Sequence, residues 1–263
     1  MPVNLTSECA TLDSERDGET LRIWLNRPGK LNALDTVALR EIGDVFGRLE
    51  YEHDARVIVL GGRGRSFSAG ADRHPDPDPD APATARGRRW FAHLGRRACR
   101  AIEECEIPTV ARVQGHAIGG GMCLAMACDF RISTAGAAWY LPEVELGVPL
   151  TWAAIPRLIQ EIGSARARQL VMLAERIDGI RAGEWALAHE VVDDSELDAT
   201  IERWAERIRS LPEPAVHMTK TTFRGYARAY AMGDASEADG DLIALAQTDP
   251  AVAERFGRSD GDS

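Results

Sequence analysis

The sequence predicts an α/β fold, with a layered core over residues 1–195 and a helical region over residues 196–263. Two observations carry that prediction. Short apolar strands alternate with amphipathic segments through the first 195 residues, the pattern that builds sheet-and-helix layers. From Glu196 to Phe256 the apolar residues recur with helical spacing instead. The composition, 44% apolar and 27% charged over 263 residues, is that of an ordinary globular chain. The length suits one large domain or a domain with an appendage.

Each element has a local reason. TLRIWLN (20–26) alternates as a half-buried strand and stops at Arg27-Pro28-Gly29. Thr36 to Leu49 places Val37, Leu39, Ile42, Val45, Phe46 and Leu49 at helical spacing, with Asp35 or Thr36 as N-cap. RVIVLGG (56–62) is a buried strand, followed by the small-residue loop SFSAGAD (66–72). RHPDPDPDAPATA (73–85) alternates Pro and Asp and cannot hold a regular element, so a mobile loop is expected there. Arg86 to Cys105 reads as one helix. Trp90, Phe91, Leu94, Ala98 and Ile102 form its apolar face; Arg86, Arg89, His93, Arg97 and Arg100 form a solvated one, for which phosphate contact is the alternative. TVARVQG (109–115) and CDFRIST (128–134) are strands. Residues 151–173 are helical with a break near Gly163-Ser164, Arg181–His189 is a short helix, and EVVDD (190–194) a short strand. The final helices break at Pro212/Pro214 and near Gly233.

Several classes of protein are disfavoured at once. No apolar run approaches the roughly 18–20 residues of a membrane span. The polar, acidic N-terminus lacks the regions of a secretory signal. Five cysteines without a CxxC pair suggest reduced thiols and a cytoplasmic protein. A net charge of −10 argues against nucleic acid as partner. VIVLGGRGRSF places Phe67 where GxGxxG needs its third glycine, and no P-loop lysine is present. The six histidines show no metal-ligand spacing, so no metal is expected. His116, beside the glycine run, reads as a structural residue. There is no GxSxG elbow.

What remains is a pair of small-residue loops, SAGAD (68–72) and IGGGM (118–122). Tight turns alone would need such residues. So would two backbone N–H groups converging on one oxygen, an oxyanion hole that requires no special side chain and tolerates only small ones.

The ordered blocks NRPGKLNAL (26–34), VIVLGGRGRSFSAGAD (57–72), PTVARVQGHAIGGGMCLAMACDFRIS (108–133), LPEVELGV (141–148) and HMTK (217–220) resemble the crotonase superfamily of enoyl-CoA hydratases and isomerases. The resemblance covers roughly residues 20–225. It implies a crotonase-like spiral of ββα units with a C-terminal helical trimerisation region, in a homotrimer or homohexamer. It implies an acyl-CoA thioester as substrate, so coenzyme A enters as part of the substrate and no separate cofactor is expected. By the same resemblance the oxyanion-hole donors are the N–H groups of Ala71 and Gly120. Lys30, Leu31, Ser68 and Ala69, with Asp72, match the region that wraps the CoA arm; Asp72 is given no role in proton transfer.

The chain departs from the hydratase pattern. Hydratases of that superfamily use two glutamates, one two residues after the GGG run and one in the xPE turn. Here the first position is Cys123 and the second is Glu143, in Leu141-Pro142-Glu143. A thiol titrates near ~8.5, higher when buried, and holds a water poorly. Losing one general acid/base costs ~10²–10⁴ in rate. One base suffices to move a double bond from C3–C4 to C2–C3, because the proton taken from C2 is returned to C4. The segment 147-GVPLTWAAIPRL-158 is also bulky where hydratases carry PGxGG, as in isomerases of the superfamily. Isomerisation with Glu143 as base is therefore expected, with a hydratase or other lyase using Glu143 alone, or a non-catalytic acyl-CoA-binding protein, as alternatives. Glu145 lies outside the motif and on the opposite side of an extended chain.

Overall fold

The computed structural model describes residues 5–49, 54–76, 78, 80, 82–230, 238–246 and 248–252. A six-stranded sheet runs in the order β1 (Leu12–Asp17), β2 (Thr20–Leu25), β3 (Val57–Gly62), β4 (Thr109–Val113), β6 (Phe130–Thr134), β8 (Glu190–Val192). β1 pairs antiparallel with β2, and every later pairing is parallel. A second, two-stranded sheet joins β5 (His116–Ile118) to β7 (Ala138–Tyr140), also in parallel. Ser68 bridges to Ala117 and so adds one more point of pairing to that small sheet. The chain thus steps from a long strand to a short extended piece and then to a helix, and repeats. That repeat is the spiral of ββα units.

β3 is buried at all six positions, as a central parallel strand covered on both faces should be. Its alternate residues face different layers. Val57 and Val59 pack with Val110 and Ile132 against Leu197, Ile201, Ala205 and Ile208 of α7 (Leu197–Arg209). Ile58 and Leu60 face the main core with α1 (Thr36–Arg48), α3 (Leu94–Glu104) and α4 (Gly120–Ala127). α4 is buried along its whole length, which fits a helix apolar on every side. Asp35 caps α1 as expected, its carboxylate accepting from Ala38 N–H at 2.8 Å. α7 therefore belongs by its packing to the outer layer of the sheet. α8 (Glu213–Tyr230) is tied to the core by Lys220 of the HMTK block, whose buried ammonium reaches Ile107 O at 2.9 Å and Asp129 Oδ2 at 2.6 Å.

The structure differs from the sequence-based expectation at several elements. β1 was not foreseen, because LDSERD has one buried apolar residue and pairs only at the sheet edge. β5 and β7 are three residues each, too short to carry a period, and exist through their mutual pairing. The expected helix over 86–105 is two, α2 (Ala85–Ala92) and α3. His93 separates them with φ −94° and ψ 1°, outside the helical basin. The turn buries Leu94, Ala98 and Ile102, while α2 buries no residue fully. It also buries His93, which is 4% exposed and not on the solvated face. The short helix after residue 178 is α6 (Gly179–Glu184), started two residues early by the Asp178 cap. α5 (Ala154–Met172) does break at Gly163, where φ is 75°. The break expected near Gly233 lies outside the described residues, as do the last residues of the chain; α9 (Asp239–Ala246) follows.

In the Pro-Asp segment, the described acids are held by basic partners. Lys30 pairs with Asp72 and Asp76, at 3.3 and 3.4 Å, and Arg40 of α1 with Asp78 and Asp80, at 3.1 and 2.7 Å.

Candidate active site

The two glycine loops meet. Ser68 N–H donates to His116 O at 2.8 Å and Ile118 N–H donates to Ser68 O at 3.1 Å, which ties the SAGAD loop to β5. Leu34 N–H donates to Gly70 O at 2.8 Å, and Asp72 N–H to Leu34 O at 2.9 Å. Ala71 lies between those two bonds and is exposed. Gly70, at φ 86°, has no room for a side chain: a Cβ would sit 2.5 Å from Ile118 O and 3.5 Å from Gly120 N. The SAGAD loop is thereby packed against the first turn of α4. Gly119, at φ 49°, is the N-cap of that helix and Gly120 its first residue. Among the described residues, neither the Ala71 nor the Gly120 N–H donates to a protein acceptor. One of these is a helix-terminal donor with the positive end of the helix dipole behind it.

Glu143 follows β7 and faces the same point. A Cβ on Gly119 would lie 2.9 Å from Glu143 Oε1, so the carboxylate rests on the glycine backbone. Its Oε2 is buried without a hydrogen-bond partner. Burial pushes its pKa up to about 7, with its own backbone N–H opposing weakly. A buried carboxylate with one oxygen unpartnered and titrating near neutrality is suited to taking and returning protons. Glu145 lies outside, exposed and bonded by the Tyr140 hydroxyl.

Trp152 packs against the first turn of α4. A Cβ on Gly120 would lie 2.5 Å from Trp152 Cη2, and Gly95 of α3 has no space at all beneath the indole. The ring is thus laid between two glycines, one from α3 and one from α4. Cys123, one turn along α4, is fully enclosed. Burial pushes its thiol well above the ordinary range, with Cys99 and Glu143 adding to the effect. It is a neutral apolar wall residue.

The remaining residues named from sequence fall in two groups. Lys30, Leu31 and Ala69 lie together near the SAGAD loop: Ala69 N–H donates to Leu31 O at 2.9 Å, and Lys30 is partly exposed. Ser68 and Asp72 have partners inside the protein. Ser68 is fully buried, its hydroxyl donating to Asn32 O at 2.8 Å and accepting from Gly70 N–H at 3.1 Å. Asp72 pairs with Arg27 and Lys30; burial alone would raise its pKa, but the His74 N–H and those cations hold it below the usual carboxylate value. Both side chains shape the loop from behind. His116 shares a hydrogen bond with Ser66 at 2.7 Å, in keeping with a structural role. Gly95 and Arg157 of α5 were not foreseen. The only signal for Gly95 was a glycine inside a helix, and Arg157, although within the segment 147–158, carries no motif of its own; its role depends on the turn at Trp152-Ala153 and on Glu103.

The chain matches the family model "Enoyl-CoA hydratase/isomerase" over residues 15–249. It is 35% identical over 207 residues to the short-chain-enoyl-CoA hydratase of Clostridium acetobutylicum, covering 78% of each chain. It is 32% identical over 214 residues to the peroxisomal Δ(3,5)-Δ(2,4)-dienoyl-CoA isomerase of Arabidopsis thaliana, covering 78% of this chain and 77% of that one. Among solved structures, an enoyl-CoA hydratase from Mycobacterium avium subsp. paratuberculosis superposes with a TM-score of 0.83 at 26% identity, covering 94% of both chains.

Proposed function

The chain belongs to the enoyl-CoA hydratase/isomerase family, and within it we propose an isomerase that shifts a C3–C4 double bond of an acyl-CoA to C2–C3. The observation that carries this reading is the single carboxylate of the site. Glu143 titrates near 7 with one oxygen unpartnered, while Cys123 stands neutral and buried where a second acid would be needed to hold water.

The thioester oxygen is placed between the Ala71 and Gly120 N–H groups. Glu143 removes a proton from C2. The electron pair moves into the thioester carbonyl, and the two N–H groups with the α4 dipole stabilise the dienolate oxygen. The protonated Glu143 then delivers the same proton to C4, and the electrons return to form the C2–C3 bond. Nothing is added or lost, and no metal or redox group is called for. Lys30, Leu31 and Ala69 are proposed to meet the CoA arm, with Ser68 and Asp72 holding the loop in shape. The exposed apolar side chains Met218, Phe223 and Tyr226 of α8 support a homotrimer or homohexamer.

Hydration or another lyase reaction through Glu143 alone is the second reading, favoured by the hydratase names of the relatives. Turnover of a 3-enoyl-CoA against hydration of a 2-enoyl-CoA separates them. Isomerisation that exceeds hydration and is lost in Glu143→Gln supports the proposal. Hydration without isomerisation overturns it.

A further inference from the structure

The first residues of α9 grip the turn after Trp152, the ring of His93 and Arg89 of α2. Asp239 Oδ2 accepts from Ala153 N–H at 2.8 Å. Gly240 is seated on the ring of His93: a Cβ there would sit 2.8 Å from Nε2. Asp241 receives Arg89 of α2 through two bonds, at 2.8 and 3.0 Å.

Ala153 follows Trp152, and both residues have positive φ, 55° and 61°. Neither is a glycine, and a tryptophan rarely holds that conformation unless its surroundings enforce it. The enforcing contacts come from two sides. Arg157 Nη1 donates to Trp152 O at 2.8 Å and to Ala153 O at 3.1 Å, and its Nη2 pairs with Glu103 at 2.7 Å. Asp239 takes the N–H that the same turn leaves over. The carbonyls and the amide of this turn are thus held from α5 and from α9. The outcome is the position of the indole, packed against Gly95 and Gly120.

We propose that Asp239 is a positioning residue for Trp152, and that α9 thereby sets the acyl length the site admits. The indole then acts as an end wall that favours short acyl chains. Release of the Ala153 N–H lets the turn relax towards ordinary φ values and moves the wall. This inference rests on the acyl-CoA reading of the Gly120 site, not on which proton transfer the site performs.

The test uses the full-length protein and non-reacting saturated thioesters, butyryl-CoA and decanoyl-CoA, with affinities measured by calorimetry. Asp239→Ala is expected to shift the butyryl-to-decanoyl affinity ratio by about tenfold towards the longer chain, the scale of a changed apolar pocket wall. Asp239→Asn keeps an acceptor oxygen and should restore most of the ratio. Gly240→Ala, which forces α9 off His93, should move the ratio in the same direction. Trp152→Ala should abolish the preference outright. The ligand-induced change in tryptophan fluorescence, taken as the difference from Trp152→Phe, should shrink in Asp239→Ala. An unchanged ratio in folded Asp239→Ala, or in Trp152→Ala, overturns the proposal. Failure of the isomerase reading would look different: acyl-CoA binding and its length preference intact, with no turnover of a 3-enoyl-CoA.

Discussion

Replacing Glu143 by Gln tests the electrostatics of the site without requiring any substrate. Burial raises this carboxyl from its ordinary 4.5 to about 7. The folded protein therefore keeps a proton there that the unfolded chain releases. The stability this group contributes is complete below 4.5 and is lost as the pH rises through about 7. At about 1.36 kcal/mol per pH unit, the interval amounts to about 3 kcal/mol at pH ~8 and about 1 kcal/mol at pH ~5. An amide carries no titration, so Glu143→Gln should unfold later than the parent at high pH. Its own hydrogen-bonding cost is the same at both pH values and cancels in the difference. Urea unfolding of both proteins, at one protomer concentration, should give an advantage for Glu143→Gln that grows by about 2 kcal/mol between pH ~5 and pH ~8, with equal m-values. The same variant should lose isomerase turnover by at least ~10². If the stability difference did not change with pH, Glu143 would not be a buried, unpaired carboxyl in the folded state, and its assignment as a base poised near neutrality would fail with it.

The other expectations follow from single contacts. In the parent enzyme, kcat/KM should rise with pH along a limb centred near 7, as Glu143 loses its proton; a limb near 4.5 would mean a solvated carboxylate. Gly120→Ala drives a methyl into the Trp152 ring and disturbs one oxyanion donor, so turnover should fall by about 10²–10³, the loss typical of one such donor; near-normal kinetics would remove Gly120 from the hole. Arg131 is fully buried and bonds Leu187 O, Cys128 O and Glu161, at 2.6, 2.9 and 2.6 Å. Arg131→Ala leaves those acceptors without it and should cost about 3–5 kcal/mol in denaturant unfolding. A thiol-reactive dye at pH ~8 should label Cys9 alone in the native protein, because the other cysteines are buried, with Cys99 and Cys128 pushed to about 12 and Cys123 well above the ordinary thiol range. Rapid labelling of Cys123 would show that the pocket wall opens.

Much of this molecule is local enough to be read from the chain. The apolar run VIVLGG has one stable placement, a strand covered on both faces, and it is found there. Asp35 caps α1 because a cap needs only a side chain and an amide three residues on. The glycines of SAGAD and GGGM were legible because close backbone approach demands small residues, and Glu143 in its LPE turn through the resemblance to the hydratases and isomerases. Other features were not legible, and each depends on contacts distant in sequence. β5 and β7 are too short to have a period and exist only as a pair. The helix over 86–105 splits because His93 is drawn inside, which no periodicity records.

The sequence by itself determined the layered α/β fold, the meeting of two small-residue loops as a candidate oxyanion hole, and the survival of one carboxylate where two were expected. The first two follow from side-chain size and patterning, which act wherever the chain carries them; the third is read against the hydratase pattern that the resemblance supplies. Only the tertiary structure decided that Glu143 is unpaired and titrates near 7, that Ser68 and Asp72 face inward, and that Trp152 is laid between Gly95 and Gly120 under the hold of Arg157 and Asp239. The physical reason is that burial and strain are properties of surroundings. A carboxyl is raised by the water it has lost, and a tryptophan is held at positive φ by neighbours that the fold brings from 86 residues away.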